Sequence, residues 1–199
     1  MHISIVGTAG RREDGAKMSK ALYIKAYFRV LELIQDKPIA DRKLISGGAA
    51  WADHLAVSLY LSDEASSLDL HIPTQFITDA NINMAHAGPI PGFFDTGVRD
   101  WRTNPGGTAN YYHKLFSEKV GNNTLAGIER ALLKGATIHD HYQWMPGSPM
   151  HARNLSVSQC DLLIALTWGE GDTPKDGGTA HTWSSSTAPT KIHIPLGSL

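Results

Sequence analysis

Apolar positions in the first part of the chain follow a repeated order of short run, glycine loop and helical stripe. A β-branched run at 3–6 leads into the glycine loop 7–10, and apolar residues then recur every three or four positions from about 16 to 35. A second run at 43–46 leads into a second glycine loop at 47–49, followed by another apolar stripe. Buried strands are short apolar runs and amphipathic helices have a period of 3.6 residues, so this order predicts alternating strands and helices.

The order continues with a strand at 68–72 and is then interrupted from 74 to 147. This stretch is polar and rich in glycine and aromatic residues, and we predict an insertion with its own helices near 110–119 and 124–134. The order resumes with a helix at 149–159, a strand at 161–166, a helix at 179–186 and a strand at 191–194. We therefore predict one domain over residues 1–199 with an α/β, Rossmann-like fold: a mainly parallel sheet, helices on both faces, and the insertion 74–147.

Positive and negative charges are nearly balanced, with 18 Lys and Arg against 19 Asp and Glu. Proteins that coat nucleic acid carry a strong positive field, so a nucleic-acid partner is not expected. No apolar run approaches the roughly 20 residues of a membrane-spanning helix. The one cysteine, Cys160, cannot form a disulfide within the chain. We expect a cytoplasmic protein with no membrane partner.

Three glycine-rich loops follow predicted strands, which is where open parallel sheets bind ligands. Glycine lets backbone amides approach a ligand closely, and helix N-termini favour anions. The loops therefore predict an anionic ligand, such as a phosphate, held by Gly7, Thr8, Gly47, Gly48, Gly177, Gly178 and Thr179.

Arg11 and Arg153 are the cations that we assign to this ligand, because a guanidinium matches two phosphate oxygens at once. Asp53, at the start of the second helix, and Asp176, directly before the third glycine pair, are the carboxylates expected at a ribose. Two alternatives stay open: Arg11 as an exposed helix start, and Asp53 as a carboxylate that complements its helix dipole.

Three stretches carry a resemblance to a known superfamily. Residues 46–56, SGGAAWADHLA, resemble the glycine loop of the SLOG superfamily of Rossmann-like domains, in its YspA/YpsA-related branch, which is common in bacteria and phages. Residues 150–154 and 160–166, MHARN and CDLLIAL, are similar to stretches of the lonely-guy phosphoribohydrolases of that superfamily. Residues 174–179 fall where those enzymes have their Pro-Gly-Gly-x-Gly-Thr loop. The resemblance covers roughly 1–72 and 150–194.

The resemblance implies a nucleotide site with Arg153 as the catalytic arginine. The family's catalytic glutamate falls on Thr182, so Asp176 is the substitute that we consider. Two functions stay open. One is binding of a nucleotide of the AMP, ADP-ribose or cyclic ADP-ribose type for sensing or sequestration. The other is hydrolysis of the N-glycosidic bond of a nucleoside 5′-monophosphate. The resemblance also implies a homo-oligomer, and no cofactor is expected.

Two further features suggest ligand chemistry. Aromatic residues offer flat surfaces for a base, and a His-Asp-His run offers metal-ligand types. On a strand, His139 and His141 would share a face while Asp140 points away, so without a third ligand we expect no metal. The aromatic candidates are Trp51, Phe93, Phe94, Trp101, Tyr111 and Tyr112.

Overall fold

A computed structural model describes residues 1–82, 84–142, 149–174 and 177–199. Its strands are β1 His2–Gly7, β2 Lys43–Ser46, β3 Ser67–Ile72, β4 Phe76–Ile77, β5 Gly92–Phe93, β6 Thr137–Asp140, β7 Leu162–Thr167 and β8 Thr190–Pro195. Its α-helices are α1 Asp14–Lys17, α2 Lys20–Ile34, α3 His54–Leu61, α4 Pro105–Val120, α5 Thr124–Leu133, α6 Pro149–Val157 and α7 Gly177–Ser185. No helix in the described ranges is long and apolar enough to cross a membrane.

Six strands form one sheet in the order β6-β3-β2-β1-β7-β8, and every neighbouring pair is parallel. β7 is buried along its whole length, as expected of a parallel strand covered on both faces. The predicted α/β, Rossmann-like fold with a mainly parallel sheet is confirmed.

Side chains that alternate along the strands supply two apolar layers. Ile3 and Ile5 of β1 face the layer built with α2, α3, α4 and α5. Val6 faces the layer that includes Val157 of α6 and Trp183 of α7. Helices therefore cover both faces of the sheet, because successive strand residues point to opposite sides.

The region predicted as an insertion has two parts. Its first part holds the small antiparallel pair β4 and β5, followed by α4 and α5. Its last strand, β6, is an edge strand of the main sheet and pairs with β3 from Asp69 to Ile72. The segment that departs from the sheet therefore ends before Thr137.

Two helices begin elsewhere than the apolar pattern predicts. The helix predicted over 16–35 is two helices, because the Ser19 hydroxyl accepts the amide of Leu22 and starts α2 there. Helix α4 begins at Pro105, well before the predicted position 110. Asn104 caps it by accepting the amide of Gly107, and proline is favoured in the first turn.

Candidate functional site

A cleft opens at the carboxyl ends of β1, β2 and β7. The sheet extends from β1 in both directions, and open α/β sheets bind ligands at such a switch point. The cavity of this glycine-loop cleft is about 610 Å³, a size typical of small-molecule sites. The cleft is lined by ten predicted site residues: Gly7, Thr8, Arg11, Gly47, Gly48, Asp53, Arg153, Gly177, Gly178 and Thr179. The remaining one, Asp176, lies outside the described residues.

Gly47 and Gly48 are required by the close packing of the second loop. A Cβ on Gly47 would stand 2.6 Å from Nη1 of Arg153 and 2.7 Å from Oδ2 of Asp53. Gly48 has a φ of 66°, in the left-handed region that favours glycine. The bare backbone here serves the protein's own packing as well as leaving room for a ligand.

Asp53 ties the first two glycine loops together. Its Oδ1 accepts the amide of Gly7 at 3.1 Å, and its Oδ2 accepts the amide of Ala49 at 3.3 Å. The side chain does not cap its own helix. Burial raises the pKa of Asp53, while Arg153 and the two amides act in the opposite direction. The Asp53 carboxylate thus holds the first and second glycine loops in fixed positions relative to each other.

Arg153 lies beside this carboxylate. Its Nη1 is 3.8 Å from Oδ2 of Asp53 and donates to the carbonyl of Gly47. Its Nε donates to the Oδ1 of Asn154 at 3.3 Å. Burial lowers the pKa of Arg153, and the charge of Asp53 opposes that shift. Within the described residues its Nη2 has no acceptor, so one edge of the guanidinium is left for a ligand.

Arg11 and Arg12 line the same cleft, but unlike Arg153 they are exposed to solvent. Both are exposed, and neither side chain forms a hydrogen bond or an ion pair with any described residue. The Arg11 guanidinium lies 5.7 Å from the ring centre of Tyr112. These two cations are therefore free to pair with an anionic ligand.

The third loop leads into the N-terminus of α7. The carbonyl of Gly178 accepts from Nδ2 of Asn154 at 3.4 Å and from the hydroxyl of Thr182 at 3.1 Å. Thr182 is buried and bonds back into its own helix. The position that aligns with the glutamate of the lonely-guy enzymes therefore presents no carboxylate.

The aromatic candidates divide by exposure. Trp51 and Phe93 are buried in the core, and Phe94 stacks on His86. Tyr112 lines the cleft, while Tyr111 and Trp101 are exposed close by.

His113 contributes to the site, although no motif or pattern in the sequence indicates it. From α4, its Nε2 donates to the carbonyl of Gly48 at 3.0 Å, and its Nδ1 lies 2.9 Å from the hydroxyl of Thr124. Burial lowers its pKa to about 3, so the imidazole is neutral. A helix of the insertion thereby holds the second glycine loop in place.

The His-Asp-His run packs against a third imidazole that the sequence did not place there. His71 stacks on His139 at 4.5 Å between ring centres, and its Nδ1 is 3.0 Å from Nε2 of His141. Burial, with help from these two neighbours, lowers the pKa of His71 to about 4. Across the described parts of the chain, no group of three or more His, Cys, Asp or Glu is arranged to hold a metal ion.

Comparison with known proteins identifies a relative of this chain. No family model matches the sequence, and no solved structure matches it. It is similar to the uncharacterized protein R261 of Acanthamoeba polyphaga mimivirus, with 30% identity over 207 residues. That match spans 98% of this chain and 96% of the viral protein. The chain therefore belongs to the same protein family as this mimivirus protein.

Proposed function

We propose that the protein binds a nucleotide with phosphate and ribose, of the AMP, ADP-ribose or cyclic ADP-ribose type, and senses or sequesters it without hydrolysis. One observation carries the proposal: three glycine loops and two unpaired arginines, Arg11 and Arg12, meet in one cleft at the carboxyl edge of the sheet. Backbone amides, a helix N-terminus and guanidinium groups are the donors that recognise phosphate. The resemblance to SLOG domains supports the same ligand class.

The cleft is better suited to binding than to hydrolysis. Glycosidic hydrolysis uses carboxylates placed at the developing cation and at the attacking water. Thr182 occupies the position of the family's glutamate, and both oxygens of Asp53 accept loop amides. The other described carboxylates that line the cleft, Glu13 and Asp14, directly follow Arg11 and Arg12 in the chain, and Oδ1 of Asp14 is 3.9 Å from Nζ of Lys17.

The test is calorimetric titration of the protein with AMP, ADP-ribose and cyclic ADP-ribose. Replacement of Arg11 by Ala removes charge-assisted hydrogen bonds, and we expect about 10- to 100-fold weaker binding of any ligand that the protein takes. The matched control is Arg29→Ala, an exposed arginine of α2 that pairs with Glu32 and should keep the affinity within about twofold.

Three outcomes would contradict the proposal. If no nucleotide binds to the folded protein, or if Arg11→Ala binds as well as the unaltered chain, the cleft is not the nucleotide site. Chromatography of the same mixtures checks for free base. Its release would replace the binding function with that of an N-glycosidase.

A further inference from the structure

A second cavity adjoins the glycine-loop cleft. This outer pocket, of about 580 Å³, is formed by the loop 95–104 and by α4. Arg11, Arg12, Thr108 and Tyr112 line both cavities. The two cavities therefore meet along a wall that carries the two unpaired guanidinium groups.

In the outer pocket, the aspartates have hydrogen-bond partners within the protein, whereas Arg99 has none among the described residues. Asp95 accepts the amide of Gly97 and the side-chain amide of Asn104, both at 2.7 Å. Asp100 accepts the amide of Arg102 at 3.0 Å. Arg99, in contrast, is exposed and has no side-chain partner within the described residues. The acidic side chains accept hydrogen bonds from groups of the same loop, and the positive charge of Arg99 is left for a ligand.

Exposed aromatic rings line the same pocket. Trp101 is 43% exposed and Tyr111 is 57% exposed, although large aromatic side chains are mostly buried in folded proteins. The Arg102 guanidinium lies 4.8 Å from the ring centre of Trp101, so a cation already stands over this ring, and a base would stack on its other face. Tyr111 meets Tyr112 edge to face at 5.3 Å, which places one ring in the outer pocket beside one that lines both cavities. Such rings are suited to stack against a base, which presents a flat face.

We propose that the cleft and the outer pocket together hold one ligand made of two nucleoside-like halves joined by a diphosphate. The diphosphate pairs with Arg11 and Arg12 at the shared wall. One half enters the glycine-loop cleft, and the other lies against Trp101 and Tyr111. This inference rests on the proposed function and narrows its ligand to dinucleotides such as NAD, in which each half carries a base.

The test compares AMP, ADP-ribose and NAD by calorimetry on the full chain. We expect NAD to bind at least about tenfold more tightly than AMP or ADP-ribose, because NAD alone among the three carries a second base that can stack in the outer pocket. Trp101→Ala should weaken the two-part ligand by about 5- to 100-fold, as expected for loss of one stacked base, and leave AMP within about twofold. Trp101→Phe should restore most of the loss, because it keeps a flat ring.

The control is Phe28→Ala, an exposed aromatic residue of α2 away from both cavities. It should change no affinity. If AMP or ADP-ribose binds as tightly as NAD, or if Trp101→Ala weakens AMP equally, the two-part ligand is wrong while the nucleotide function stands. If the folded protein binds neither these three compounds nor cyclic ADP-ribose, both proposals fail.

Discussion

The buried side chain of Asp53 and the mostly buried side chain of Arg153 together hold the glycine loops of the cleft in place. Asp53 accepts one amide from each of two glycine loops, and Arg153 supplies the compensating charge and a bond to the carbonyl of Gly47. A buried charge without its partner is costly, since desolvation is no longer offset. The conformation of the glycine loops therefore depends on both side chains. One edge of the Arg153 guanidinium is left to contact a ligand.

Replacement of Arg153 by Met should destabilise the protein by about 3–5 kcal/mol at pH 8. The penalty should be smaller at pH 5. Burial already raises the pKa of Asp53, and loss of Arg153 raises it further, so the folded variant takes up a proton more readily than the unfolded chain. Stability from such a group is present at low pH and lost as the pH rises through the folded pKa.

Urea unfolding of the two proteins at both pH values measures the difference. The double variant Arg153→Met with Asp53→Asn removes the stranded charge and should lose the pH dependence of the penalty. An equal penalty at pH 5 and pH 8 for the single variant would show that the charge of Asp53 is not the cause.

Helices α3, α4 and α5 are joined by two neutral histidines. His113 of α4 connects Gly48 to Thr124, and Nε2 of His54 donates to the carbonyl of Thr124 at 3.0 Å. Burial lowers the pKa of His54 to about 4 and that of His113 to about 3. His113 thus joins α4 and α5 to the second glycine loop, His54 joins α3 to α5, and burial favours the neutral form of both side chains.

This packing predicts sensitivity to acid. Both pKa values lie below the ordinary histidine value of about 6.5, so the unfolded chain binds protons first. The contribution of these residues is complete above pH 6.5 and decreases as the pH falls toward 3. His113→Gln keeps a donor for Gly48 without titrating, and should flatten the dependence of unfolding free energy on pH by about 1.4 kcal/mol per unit between pH 6 and 4.

Denaturant unfolding between pH 4 and 8 gives that slope. His151→Gln, on the exposed surface of α6, should retain the slope of the unaltered chain. A slope that is unchanged in His113→Gln would mean that the protonation of His113 does not limit folding.

The molecule as a whole brings separate stretches of chain to the glycine-loop cleft. If the cleft holds the nucleotide that we propose, its occupancy of the folded state adds to the unfolding free energy by mass action. At about 100 times the dissociation constant this amounts to about 2.7 kcal/mol, or a melting temperature about 5–10 °C higher for a protein of this size. Differential scanning fluorimetry with the nucleotide panel measures the shift. An equal shift for Arg11→Ala would place the ligand elsewhere.

Prediction from sequence succeeded where the pattern is local. The continuous apolar run of β7 and the glycine loops after β1 and β2 are readable in the chain because burial and turns constrain nearby residues. The strand β6 was not assigned to the main sheet, because it is a mostly exposed edge strand and lacks an apolar run.

The contacts among the side chains of the site could not be predicted from the sequence, for a different reason. Arg153 bonds to a carbonyl 106 positions away, and His113 to one 65 positions away. A single sequence contains no signal for which distant groups will meet. The residues that line the cleft could therefore be selected by type and loop position, while the partners that hold Asp53 and Arg153 in place could not.

The central position of β1 in the sheet has a consequence for folding during synthesis. β1 is near the N-terminus, yet it has β2 on one side and β7, from the last quarter of the chain, on the other. During synthesis its second edge stays open until β7 has been made, and Thr8 gains its bond to Leu166 only then. A nascent chain that stops before β7 would lack the part of the cleft that follows this strand, so the cleft that we propose to hold a nucleotide forms only after β7 has been made.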